Sequence, residues 1–111
     1  MPVTEAYVKP TIEKLCRAKP VEYKKMFGGI GLYCEGIFFA VIDDDRLFFK
    51  TDDVNRPEYE QAGMPQWIPD PSTGQRMPYH QVPESVLDDP ETLSRWIDGS
   101  VGVAMRKKVR K

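Results

Sequence analysis

The stretch Met26-Phe27-Gly28-Gly29-Ile30-Gly31-Leu32-Tyr33 constrains this chain most, because it sets three glycines among bulky apolar residues where strand-like alternation begins. Glycine loses more backbone freedom on ordering than any other residue. Its repeated use here therefore needs a backbone reason, either a positive φ or the close approach of another segment. Two arrangements meet that need: the glycines cradle a ligand, or they admit a strand into a sheet past a crowded neighbour. A dinucleotide fingerprint requires Gly-x-Gly-x-x-Gly between a strand and a helix. Gly29-Ile30-Gly31-Leu32-Tyr33-Cys34 lacks the third glycine and runs on as a strand. No Gly-Lys-Ser or Gly-Lys-Thr occurs anywhere, which removes the P-loop. A packing or turn role is the expectation for this stretch.

The surrounding pattern is that of a meander. Val21 to Lys25 reads as a short strand leading into the glycines, with Val21, Tyr23 and Lys25 on one face. Ile30, Leu32 and Cys34 then alternate with Gly31, Tyr33 and Glu35, a half-buried strand whose second face is open at Gly31. Glu35-Gly36 suits a two-residue hairpin. Ile37 to Ile42 is apolar on both faces, as in a central strand, Asp43-Asp44-Asp45 forms a solvated turn, and Arg46 to Thr51 completes the meander.

Helical signals flank these strands. Thr4 to Ala18 carries an apolar face at Val8, Ile12, Leu15 and Cys16, with Thr4 as cap. Pro10 implies either a start near Lys9 or a kink in a longer helix. Asn55, Pro57 and Glu58 mark a capped short helix ending near Gly63. Met64 to Met77 reads as a long loop with room for a strand near Trp67, Pro78 to Val82 as a final strand whose proline confines it to an edge or marks its start, and Pro83 to Leu87 as one helical turn. Asp89-Pro90-Glu91 starts a last helix whose buried face comprises Leu93, Trp96, Ile97, Ser100, Val101, Ala104 and Met105. Close packing is expected at Gly99 and Gly102. The fold class that follows is α+β: two layers, an antiparallel β-sheet meander with flanking N- and C-terminal helices, in one domain spanning residues 1–111. At 111 residues such a domain buries a core without disulfides or metal.

The near-neutral formal charge of −1 hides an asymmetry. Residues 106–111 hold five cations, and the remainder holds 11 basic against 17 acidic residues. An acidic body repels a phosphate backbone, so nucleic-acid binding is confined to the basic C-terminal tail, with Tyr23 or Tyr33 as stacking platforms. No apolar run approaches the roughly 18 residues of a membrane span, and the N-terminus lacks a signal-peptide pattern. The expectation is a soluble cytoplasmic protein with no membrane association, in which Cys16 and Cys34 are buried, reduced thiols.

His80 is the sole histidine and lies in no catalytic or zinc-ligand spacing, so it is read as a surface or edge residue. The Asp43 to Asp45 run fails as an EF-hand because Phe48 stands where glycine is required. No catalytic residue, cofactor or metal ligand is assigned. Lys50 is read as guarding a sheet edge, with anion binding as the alternative. Lys50, Arg56 and Trp67 are the candidate ligand or partner contacts, two cations for an anion and an apolar wall between sheet and helices.

Met26-Phe27-Gly28-Gly29-x-Gly31, followed by Phe39-Ala40, Leu47 to Lys50, Arg56-Pro57, Tyr79 to Glu84 and Trp96, resembles the TfoX N-terminal domain family from about Val21 to Met105. The resemblance implies the same two-layer α+β architecture and a regulatory association, because full-length TfoX proteins regulate competence for DNA uptake. In those proteins a C-terminal helical domain follows. The present chain ends before one, so a single-domain member is expected. It carries over no catalytic residues. The function expected is a non-enzymatic regulatory or protein-interaction domain, a homodimer with a further, unknown protein partner. Its dimer surface is expected on an edge strand or on the Gly99/Gly102 helix face.

Overall fold

In the computed structural model, residues 3–26 and 28–109 are described, the last three of them by backbone alone. Five strands form one antiparallel sheet in simple sequence order: β1 (Glu22–Met26), β2 (Gly29–Cys34), β3 (Ile37–Asp43), β4 (Arg46–Lys50) and β5 (Tyr79–Gln81). The helices are α1 (Glu5–Ala18), α2 (Arg56–Gln61), α3 (Glu84–Leu87) and α4 (Pro90–Val109). The core that unites them contains Leu15 of α1, Tyr59 of α2, Val86 and Leu87 of α3, and Leu93, Trp96 and Ile97 of α4. From the sheet it contains Ile30, Leu32, Cys34, Phe39, Ala40, Ile42, Leu47 and Phe49. The helices thus cover one sheet face, giving the expected two-layer α+β fold. The basic tail is not separate from this layer, because α4 continues through Val109.

The meander turns follow from backbone chemistry. Glu35 and Gly36 both have positive φ, as do Asp44 and Asp45, the pattern of two-residue hairpin loops that match strand twist. The second turn is one residue shorter than the three-aspartate reading. Asp43 belongs to β3 and is buried. Asp45 also ties the layers together, accepting from the Thr4 amide (2.8 Å) and the Thr4 hydroxyl (2.9 Å). That hydroxyl in turn accepts from the Tyr7 amide (3.2 Å) as the α1 cap. α1 therefore begins at Glu5 and carries Pro10 inside it. Pro10 withholds one amide donor, yet the cap and the burial of Leu15 hold the helix through it.

The three glycines divide their work. Gly28 takes φ +78°, a conformation that side chains resist. Gly29 and Gly31 have no such φ and answer to crowding instead. A Cβ on Gly29 would stand 2.5 Å from the Ile42 carbonyl oxygen, and one on Gly31 2.6 Å from the Met26 methyl carbon and 3.1 Å from the Phe38 ring. The face thought open at Gly31 is covered by these two side chains.

Other departures have local causes. β1 is displaced by one residue, and Val21 is buried just before it. Asn55 stands at the N-cap position of α2, as expected, but makes no side-chain cap hydrogen bond. Its side chain accepts from the Asp52 amide (2.8 Å) and donates to the Lys50 carbonyl (3.1 Å), closing the loop after β4. Glu58, expected in a capping box, instead pairs with Arg95 of α4. Cys16 is exposed, its thiol donating to the Val21 carbonyl, whereas Cys34 is buried; both are free. On α4, Val103 is buried and Met105 is 46% exposed. At 100° per residue Met105 points about 130° from the stripe centred near Leu93 and Ser100, and Val103 only about 70°. Gly99 looks onto Asn55, and the space above Gly102 is filled by the Arg106 side chain.

The glycine geometry predicts unequal costs. Gly29→Ala is expected to cost about 2–3 kcal/mol, because the opposing atom is backbone, and Gly31→Ala about 1 kcal/mol, because the Met26 side chain can swing aside. Urea unfolding of the two variants checks the order.

Candidate functional site

The sheet face away from the helices carries a second, smaller cluster built by strand alternation. It comprises Val41, Phe48 and Tyr79, with Phe38, Trp67 and Met77 packed against them. The loop after α2 supplies Trp67 by behaving as a rudimentary extra strand. Its Gln66 bridges His80, the Trp67 amide donates to the Tyr79 carbonyl (2.8 Å), and the Pro65 carbonyl accepts from the Gln81 amide (3.0 Å). β5 is the outermost strand, as expected, and these bonds cover its free side. The Trp67 ring stacks on Phe48 (5.9 Å between centroids) and meets Tyr79 edge-on (5.3 Å), while its indole N–H donates to the Asp43 carboxylate (3.0 Å). Burial pushes the Tyr79 phenol up to about 12, so it stays protonated at neutral pH.

From this cluster an aromatic row runs toward β1. Phe38 lies 6.3 Å from Tyr79, and Tyr33 lies 5.3 Å from Phe38. Two cations sit over the row. Lys50 Nζ is 5.3 Å from the Phe38 centroid and 5.7 Å from that of Tyr79, and Lys24 Nζ is 5.4 Å from Tyr33. Tyr33, Phe38 and Lys50 are half-buried and Lys24 is exposed. The strip is thus a rigid surface of ring faces and ammonium groups, suited to contact with a macromolecule or an aromatic group. At its other end a groove of about 350 Å³ lies between Trp67, Ile68, Phe48, Arg46 and the Asp43–Asp44 carboxylates.

The three residues singled out from sequence do not converge. Lys50 and Trp67 share Tyr79 as a neighbour on the helix-free face, not between sheet and helices. Lys50 belongs to an interior strand, with β3 on one side and β5 on the other, so it guards no edge. Arg56 pairs with Asp53 and approaches Glu60 (4.0 Å) on α2. The aromatic row was missed because a reading of Ile37 to Ile42 as uniformly apolar does not say which side chains face outward.

His80 corrects the surface reading. It is buried at 4% exposure, pairs across the sheet with Phe49, and lies 2.8 Å from the Thr51 hydroxyl through Nδ1. A hydroxyl beside an imidazole resembles a nucleophile and base, but Thr51 is 3% exposed and no substrate reaches it. Burial lowers the imidazole pKa below its usual 6.5; Glu60 opposes this shift and Arg56 assists it. Burial likewise raises the Cys34 thiol, which leaves it poorly nucleophilic. Among the described residues no three His, Cys, Asp or Glu side chains are grouped to hold a metal ion, and no helix is long and apolar enough to cross a membrane.

The basic C-terminus is partly committed. Arg106 folds back to Asp52 with three nitrogen–oxygen contacts of 2.8–3.0 Å. Burial pushes the Asp52 carboxyl up, but the Arg106 bonds and the Val54 and Asn55 amides outweigh it, leaving the pKa below the usual value. The other tail cations, at positions 107, 108, 110 and 111, have side chains outside the described residues.

Two pH dependences follow. His80 is neutral when folded and titrates higher when unfolded, so its contribution is complete above about pH 6.5 and disappears as pH falls through the folded pKa. Unfolding free energy should drop over that interval, and His80→Asn should flatten the drop in urea titrations from pH 8 to 5. Asp52 contributes above its unfolded pKa near 4 and loses that contribution as pH falls through the lower folded value. Because the pair is partly exposed, Arg106→Ala should cost only about 0.5–1 kcal/mol at pH 7, and less near pH 3.

A comparison with curated proteins gives no match. The TfoX N-terminal domain family matches residues 13–104, which takes in all five strands, α2, α3, the C-terminal part of α1 and most of α4. The chain is therefore a member of the TfoX N-terminal domain family.

Proposed function

We propose that this chain is a non-enzymatic, cytoplasmic regulatory domain of the kind that competence regulators carry. It works by binding protein, both a second copy of itself and a further protein partner. The observation that carries the reading is the outer strip of Lys24, Tyr33, Phe38 and Lys50. It offers half-exposed rings and cations on rigid strands, whereas the hydroxyl–imidazole pair that could do chemistry is sealed inside. Surfaces of this composition recognise by stacking and charge rather than by moving protons. Family membership supports the regulatory part of the reading.

Light scattering after size-exclusion chromatography should give a mass twice the 12.8 kDa of the chain at high micromolar concentration. A monomer throughout would remove the self-association. Deleting the gene should lower the transformation frequency of the native host, and an unchanged frequency would remove the competence role.

A further inference from the structure

The sheet has two edges of different character. β5 is closed by the chain's own Pro65–Trp67 segment. Among the described residues β1 pairs only with β2, and Glu22, Tyr23, Lys24 and Lys25 are all exposed, Tyr23 at 53%. An edge of this kind presents a row of unused amide and carbonyl groups to any strand that fits alongside. The Gly99/Gly102 alternative is weaker, because both glycines accommodate side chains of their own chain.

We infer that β1 pairs antiparallel with the β1 of a second copy about a twofold axis at Tyr23, joining two sheets into one of ten strands. The inference rests on the self-association proposed above and assigns its surface and register. In an antiparallel ladder, opposed residues either both aim their amides at the joint or both aim them away. Residues whose positions are both odd or both even are therefore the only ones that meet. That condition also keeps the helices of both copies on the same side of the joined sheet. Three central registers satisfy it. An axis at Glu22 sets Glu22 against its twin, and an axis at Lys24 sets Lys24 against its twin; directly opposed like charges are destabilising. With the axis at Tyr23, the exposed tyrosine meets its twin, and each Glu22 faces the Lys24 of the other copy.

Both members of that charge pair lie on the outer face, Glu22 opposite Tyr33 and Lys24 opposite Gly31 within the subunit. The pairing therefore extends the strip of Lys24, Tyr33 and Phe38 across the joint into its twofold copy. The edge lysines oppose the neighbouring registers, and Glu22 compensates them in one. Because a five-residue edge buries less than the roughly 1,200 Å² of a tight interface, the association belongs in the micromolar range.

Charge exchange tests the register. E22K and K24E each place like charges at both pair positions of the homodimer. In an equimolar mixture, the lysine introduced by E22K faces the glutamate introduced by K24E. The unchanged Lys24 of the first variant then faces the unchanged Glu22 of the second, so both pairs are restored. Analytical ultracentrifugation up to about 500 µM should show each variant dimerising at least tenfold more weakly than the natural chain, and the mixture recovering the natural dissociation constant. Circular dichroism melts confirm that both variants fold, as their exposed positions lead one to expect. A natural dimer that neither variant weakens, or that the mixture does not restore, overturns the register and leaves self-association standing. A natural chain that stays monomeric overturns both.

Discussion

A single extra residue in β3 shapes both faces of this domain. Across the β2–β3 ladder Leu32 opposes Ala40 and Tyr33 opposes Phe38, so Phe39 has no opposite number. At this bulge the alternation of faces is broken once. Phe39 and Ala40 both reach the main core beneath the helices, while Phe38 and Val41 on either side point outward. Phe39 can then meet Phe49 edge-on at 5.4 Å, and Phe38 can take its place between Tyr33 and Tyr79. Without the slip, either both phenylalanines or Ala40, Val41 and Ile42 together would change faces, since a one-residue shift reverses every side chain beyond it.

Polar contacts then lock the layers in relation to one another. The Lys50 carbonyl, at the end of β4, accepts from the Ser100 hydroxyl of α4 (2.8 Å) and from the Asn55 amide. Ser100 is fully buried, so this bond anchors the middle of α4 to the sheet. Asp45 does the same for the start of α1, and Asp52 for the end of α4 through Arg106. Among the described residues one buried side-chain donor goes unmet, the Trp96 indole N–H, whose ring lies 4.4 Å from Tyr59.

Much of the fold was legible in the chain. Hairpin glycines and aspartates, the alternation at Ile30, Leu32 and Cys34, and the Asp89-Pro90 helix start are local signals, and each produced its element. The errors share a cause. Local propensity puts Asn55 and Glu58 to work as a helix cap, and in each case a contact outside the helix prevailed: the Lys50 carbonyl for the Asn55 side chain, Arg95 for Glu58. His80 reads as a surface or edge residue because it lies in no catalytic or zinc-ligand spacing. It is buried because Gln66 lies along β5 and Tyr59 packs near its ring at 5.9 Å.

The sequence by itself determined the α+β class, the order of the meander, the family and the role of its glycines as structural, because turns, periodicity and glycine tolerance act over a few residues. It also carried the Glu22-Tyr23-Lys24 pattern, without saying that this strand would stand at an edge. Tertiary structure alone decided which sheet edge is closed, which of Phe38 and Phe39 faces outward, and that Lys50 sits over two rings instead of guarding a border. Those outcomes depend on contacts between residues far apart in the chain. Their energies come from desolvation and packing that exist only once the layers have met.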